Sequence, residues 1–248
     1  MSWREWLLIG ISLLVVIITF LFVEPIPQWP EYHEFADDRT MLGIPNALNV
    51  LSNLSFLIVG VWGSVYLASA MARHGYEPRL MIYLVFFVGF ALVGIGSGYY
   101  HLWPSNGTLV WDRLALTIAF MALLSAVIAE LVSPRQAMRL APFFLLVGAF
   151  SVIYWDHTEQ AGRGDLRLYG LVQFLPFVLI ALMLWLYKRP DHVPKYILGA
   201  TACYAIAKVF ERFDLATFRL HHVVSGHSLK HLFAAGVGLV LLLMLYRR

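Results

Sequence analysis

Two histidines four residues apart, His227 and His231 in the stretch SGHSLKH, can present both imidazoles on one face of a helix. Neutral imidazole is a good zinc donor, and this spacing suits two ligands of one ion. An isolated pair of this kind as often bonds water or carbonyls at an interface, so its neighbours at the same depth matter. His101 ends an apolar stretch on the side where His227 opens another, which makes it the candidate third ligand. A catalytic zinc takes three protein ligands and keeps a fourth position for water or substrate. The stretch GSGYYHLWPSNGTLVWDRL adds Ser97, one helical turn before His101. It also holds Asp112, expected to open the next helix after a turn containing Pro104 and Gly107. Taken singly, Ser97 would bond a carbonyl of its own helix. Asp112 alone would be a helix-start acid favoured by the macrodipole and paired with Arg113. Beside three histidines, the two together favour a reaction site over separate structural roles.

The elements that would hold these residues are membrane helices. Of 248 residues, 60% are hydrophobic and 13% charged, against about 25% charged in a soluble domain. Eight apolar runs, at roughly 6–23, 46–70, 80–101, 111–132, 139–155, 169–187, 195–212 and 227–246, are long enough to cross a bilayer. Backbone groups find no water in lipid, so each run is expected to be helical and the fold to be an all-α integral membrane bundle. The first run lacks a small-residue cleavage site and reads as a retained helix. A single cysteine, Cys203, excludes an internal disulfide and reads as a small core residue.

Charge is distributed unevenly along this frame. Ten basic residues fall on one side of an eight-helix arrangement (Arg4, Arg73, Arg79, Arg135, Arg139, Lys188, Arg189, Lys195, Arg247 and Arg248). Six arginines fall on the other (Arg39, Arg113, Arg163, Arg167, Arg212 and Arg219), with most of the acids. The positive-inside rule then makes both termini cytoplasmic, in what reads as a bacterial inner membrane, and turns the acidic end outward. The basic balance reflects membrane orientation, with no nucleic acid implied. Nearly all the unusual polar residues gather at the acidic end, and ionisable groups in membrane helices usually face a bundle interior or cavity.

The pattern S-x-x-x-H, an aspartate eleven residues on, and H-x-x-x-H at the start of the last helix resembles the alkaline ceramidases. These belong to the CREST superfamily of membrane hydrolases, related to the progestin and adipoQ receptors. The resemblance, to a bacterial-type member, runs over about 46–246 and includes NVLSNLSF with Asn49, Ser52 and Asn53 as the first core helix. It implies a seven-helix core over 46–248, preceded by one extra transmembrane helix and an acidic connecting segment over 1–45. It implies Zn2+ held by His101, His227 and His231, and Ser97 and Asp112 acting on the carbonyl and the water. The substrate implied is a ceramide-like N-acyl lipid. The family's calcium-binding segment would fall at EYHEFADDR, with Glu34, Asp37 and Asp38 as the Ca2+ acids, although its W-C-E-type motif is missing and Asn46 stands where a glutamate is expected. A receptor or transporter with a structural zinc site is the alternative. Lys208 and Glu211 are expected to pair late in one helix, near Arg212 and Asp214. Lys230 is expected to snorkel outward, and Asp165 and Arg167 either pair with each other or touch the lipid head group.

Overall fold

A computed structural model describes residues 2–247; Arg248, on the basic side of the charge pattern, lies outside them. The chain folds into α1 (Trp3–Phe22), a 3-10 turn (Pro30–His33), α2 (Ala47–Ser52), α3 (Leu54–His74), α4 (Pro78–Leu102) and α5 (Asn106–Leu131). It continues through α6 (Pro134–Gln160), α7 (Arg167–Leu186), α8 (Val193–Arg212), α9 (Asp214–His221) and α10 (Gly226–Tyr246). The described residues contain no named strand, so the all-α bundle expected from composition is the observed architecture. Seven segments are long and apolar enough to cross a membrane: α1, α2 with α3, α4, α5, α6, α7 and α10.

The eighth expected crossing is α8, which is not among these seven because Lys195 and Lys208 dilute its apolar run. Its packing still extends it along the bundle. Just before α8 begins, Arg189 lies 3.5 Å from Glu130 at the end of α5. At the other end of α8, Glu211 meets Lys230 in the first turns of α10 at 2.8 Å. α8 therefore runs the full length of α10, against which it packs.

α5 is the central helix, with 78% of its apolar window buried, and α4 and α6 lie against it. α1 stands at the periphery, with no buried residue, and leans on α7. Arg167 ties the end of α1 in place by donating to the Val23 carbonyl at 2.8 Å. Its guanidinium also grips Asp165 at 2.9 and 2.7 Å, which decides between the two expectations for this loop in favour of internal pairing. Burial opposes ionisation of Asp165, yet the bonds from Arg167 and Tyr154 hold its carboxyl below the usual range.

Local chemistry sets the helix starts around the site. Ser105 and Thr108 form a reciprocal capping box, with Thr108 N donating to Ser105 Oγ at 3.2 Å. α5 thus begins at Asn106, and the expected turn before Asp112 shrinks to Trp103, Pro104 and Ser105. Ser225 caps α10 by accepting from Ser228 N at 3.1 Å. Proline inside α6 and α7 (Pro142 and Pro176) is tolerated, as membrane helices allow where neighbours satisfy the freed backbone groups.

Candidate functional site

His101 sits in the last turn of α4 and Ser97 one turn earlier, both buried. Asp112 lies two turns into α5, and close contact between these helices brings it opposite Ser97. A Cβ on Gly96 would stand 2.6 Å from the Trp111 carbonyl oxygen, so only glycine allows the backbones this near. The start of α10 is held equally tightly. A Cβ on Gly226 would meet the Phe210 carbonyl oxygen at 2.3 Å and the Asp214 Cα at 2.7 Å. Asp214 then accepts from His227 N at 2.7 Å and fixes the first histidine of the pair.

The three histidines converge. Their rings lie 4.8–4.9 Å apart by centroid, and one nitrogen from each falls within 4.8 Å of the others. His101 Nε2 and His227 Nε2 are 3.3 Å apart. Among the described residues this is the one group of histidine, cysteine and acid side chains close enough to share an ion.

The orientation of His231 follows from one hydroxyl. Ser52 Oγ donates its single proton to the Asn49 carbonyl at 2.9 Å. It can therefore only accept from His231 Nδ1, 2.7 Å away. With the hydroxyl so engaged, the proton of His231 would sit on Nδ1 and Nε2 would face the other histidines as the donor atom, the arrangement by which a metal-ligating histidine is usually fixed. Imidazole nitrogens converging in a buried space, with no acid among them, fit a cation bound by neutral ligands.

Asn49, 0% exposed, is the hub beneath this site. Its Oδ1 accepts from Ser228 Oγ at 2.9 Å, and its Nδ2 donates to the Asp37 carbonyl at 3.0 Å. Asn46, in the left-handed region at φ 47°, donates to the His101 carbonyl at 2.9 Å. The polar residues of NVLSNLSF, together with Asn46, thus hold α2, α4 and α10 in register around the histidines.

Ser97, Asp112 and His231 share the wall of a cavity of about 320 Å³. Phe56, Val93, Leu116, Phe120, Phe174 and Ala234 make its apolar sides. Asp112 Oδ1 is buried without a hydrogen-bond partner, so one carboxyl oxygen is uncommitted. The pairing with Arg113 that a purely structural Asp112 would make is not among the bonds of the described residues. Arg113, the next residue on the helix, instead donates to Gln28 Oε1 at 2.6 Å and lies over the rings of Trp155 and Tyr169 at 4.0 and 4.7 Å.

The placement of Lys230 corrects the sequence expectation. It lines the cavity instead of reaching outward, with Nζ 2.8 Å from Glu211 and 3.5 Å from His227 Nε2. A countercharge supplied by another helix makes this burial tolerable. Lys208 also pairs with Glu211, as its spacing suggests. Asp214 leaves that expected charged cluster to open α9, a helix with no counterpart among the eight apolar runs. Among the described residues Glu34, Asp37 and Asp38 do not converge as the three histidines do, and both oxygens of Asp37 accept from Arg39, at 2.7 and 2.8 Å.

Residues 43–247 match the family model described as Ceramidase. The chain belongs to the ceramidase family. No curated protein matches it in sequence. Family membership confirms the resemblance drawn from the Ser97–His101–Asp112 and His227–His231 spacings. It makes the chain a lipid amide hydrolase with ceramide as the implied substrate class, and its apolar helices make it a multi-pass membrane protein. The match leaves residues 1–42 outside the family model.

Proposed function

We propose that this ceramidase is a zinc-dependent amidase acting on a ceramide-like N-acyl lipid, with His101, His227 and His231 as metal ligands, Asp112 as proton acceptor and Ser97 as oxyanion donor. The observation that carries this reading is the convergence of three imidazoles, one of which, His231, borders the same cavity as an uncommitted carboxyl oxygen on Asp112. When bound, a zinc ion would polarise the amide carbonyl and make a water acidic near neutral pH.

The residues of the chain do the rest. Asp112 Oδ1 takes the proton that the attacking water gives up as its oxygen bonds to the amide carbon. The same carboxyl passes that proton to the leaving nitrogen as the C–N bond breaks, releasing a fatty acid and a free amine. Ser97 Oγ donates to the carbonyl oxygen while it carries negative charge. The apolar sides of the cavity take the acyl chain, and burial of the centre keeps bulk water away. A receptor or transporter with a structural zinc is less well supported, because structural sites are closed by four protein ligands and only three are grouped among the described residues.

Metal analysis of the purified protein, followed by incubation with ceramide, tests this function. About one zinc per chain is expected, with release of fatty acid. Alanine at His101, His227 or His231 should lower metal content sharply; full zinc in all three variants would show the ligand set to be wrong. Zinc without product would favour the receptor reading.

A further inference from the structure

The family match begins at residue 43, yet the segment before it reaches into the site. Ile26 and Tyr32 line the reaction cavity. Gln28 holds Arg113, and the Phe35 ring lies 4.6 Å from that of His101 and 5.1 Å from that of His227. Ala36 N donates at 3.2 Å to Asp214, the same carboxylate that fixes His227. At its near end the segment is tied to the α6–α7 loop by Leu166 N donating to the Ile26 carbonyl at 2.9 Å. The chain that follows α1 is therefore a strap laid across the polar end of the bundle.

Tyr32 occupies a particular place on this strap. The reaction cavity has an outer neighbour, a recess of about 560 Å³ lined by Trp29, Glu31, Tyr32, Lys208, Glu211 and Arg212. Three residues border both spaces: Tyr32, Lys208 and Glu211. Lys208 and Glu211 are bound to each other, and Glu211 also to Lys230, so they form a fixed wall. Tyr32 faces that wall from the strap, 38% exposed, with its backbone carbonyl anchored by the Tyr100 hydroxyl at 3.3 Å.

We propose that Tyr32 is a specificity-determining residue whose ring closes the passage between the reaction cavity and the outer recess. It limits the substrate to an N-acyl lipid with a small hydroxylated head group. A lipid whose head is extended by a phosphocholine or a sugar needs the recess, and the ring stands in its way. Exclusion by bulk is a form of discrimination that a single side chain can supply. The inference rests on the amidase reading above and adds the boundary of its substrate class.

The experiment compares kcat/KM of the zinc-loaded protein for ceramide and for a phosphocholine-headed lipid of the same acyl chain, in mixed micelles. In Tyr32→Ala the ratio of large-headed to small-headed turnover should rise roughly tenfold or more. Tyr32→Leu should shift it the same way by less, and Tyr32→Phe should leave it where it is, since bulk and not the hydroxyl sets the limit. General damage lowers both rates and cancels in the ratio. An unchanged ratio in both Tyr32→Ala and Tyr32→Leu overturns the proposal. Should the wild-type protein cleave neither lipid, the amidase reading falls. Tyr32 is then judged by equilibrium binding of the same two lipids, where an unchanged binding ratio in Tyr32→Ala overturns its role.

Discussion

At the scale of single residues, the chemistry turns on which polar atoms are already engaged. Asp112 keeps one buried oxygen free while most acids at this end are occupied, as Asp37 is by Arg39 and Glu211 by two lysines. Asp112→Asn preserves size and removes the proton acceptor, so hydrolysis should fall by about 100 to 10,000-fold with zinc retained. Unchanged turnover would make this aspartate a structural residue. Ser97→Ala removes one oxyanion donor and should cost less than Asp112→Asn, at the lower end of roughly 100 to 1,000-fold. Ser52 provides a test of the histidine tautomer. Its hydroxyl orders His231 without touching the cation position, so Ser52→Ala should weaken zinc affinity about 10 to 100-fold. Titration against a competing chelator reads this directly, and equal affinity would mean that His231 needs no such support. The pairs Ser97–His101 and His227–His231 are legible in the sequence because four-residue spacing on a helix is itself geometry, and Asp112 because it falls near the start of the next helix. The role of Ser52 and the place of Phe35 are not, because their partners lie far away along the chain: Ser52 and His231 are separated by 179 positions. Lys230 misleads for the same reason, since its countercharge, Glu211, comes from another helix.

At the scale of elements, the site depends on how closely helices approach. Apolar runs identify the long helices, because length and hydropathy are properties of a single segment. Short elements carry no such signal, which is why α9 does not stand out in the sequence and the run from residue 46 reads as one helix and not as α2 followed by α3. The start of α5 is obscured because Gly107 looks like a turn residue, whereas the Ser105–Thr108 box starts the helix ahead of it. The contact of α4 with α5 offers a controlled test. Gly96→Ala forces the Cβ against the Trp111 carbonyl and should destabilise the bundle by about 1–3 kcal/mol. It should also part Ser97 from Asp112, lowering turnover by up to about 100-fold. Two residues along, Gly98→Ala meets nothing within 4 Å and serves as control. Thermal unfolding in detergent and ceramide hydrolysis should separate the two variants; if they behave alike, close approach at Gly96 does not position the site.

At the scale of the whole molecule, the bundle has two chemically different ends. The three histidines, the strap and the charged pairs of Glu211 lie at one. Arg79 and Arg189 lie at the other, around Glu130, which sits 3.9 Å from Arg79. That acid does not alter the expected orientation, because the positive-inside rule counts lysine and arginine near the membrane and not net charge. With α8 counted as the eighth expected crossing, the number is even, and the ends of α1 and α10 that carry Arg4 and Arg247 fall on the basic side of the expected topology. The expected topology has both termini in the cytoplasm and the site opening outward. It is tested by thiol labelling with an impermeant reagent in a Cys203→Ser background, which removes the native cysteine. Arg163 lies in the exposed turn after α6 at the site end, and Arg135 is exposed at the start of α6 at the other. Arg163→Cys should label in intact cells and Arg135→Cys only after permeabilisation. The reverse pattern would turn the molecule over and place the reaction centre at the cytoplasmic face, where the same geometry would draw its lipid from the inner leaflet.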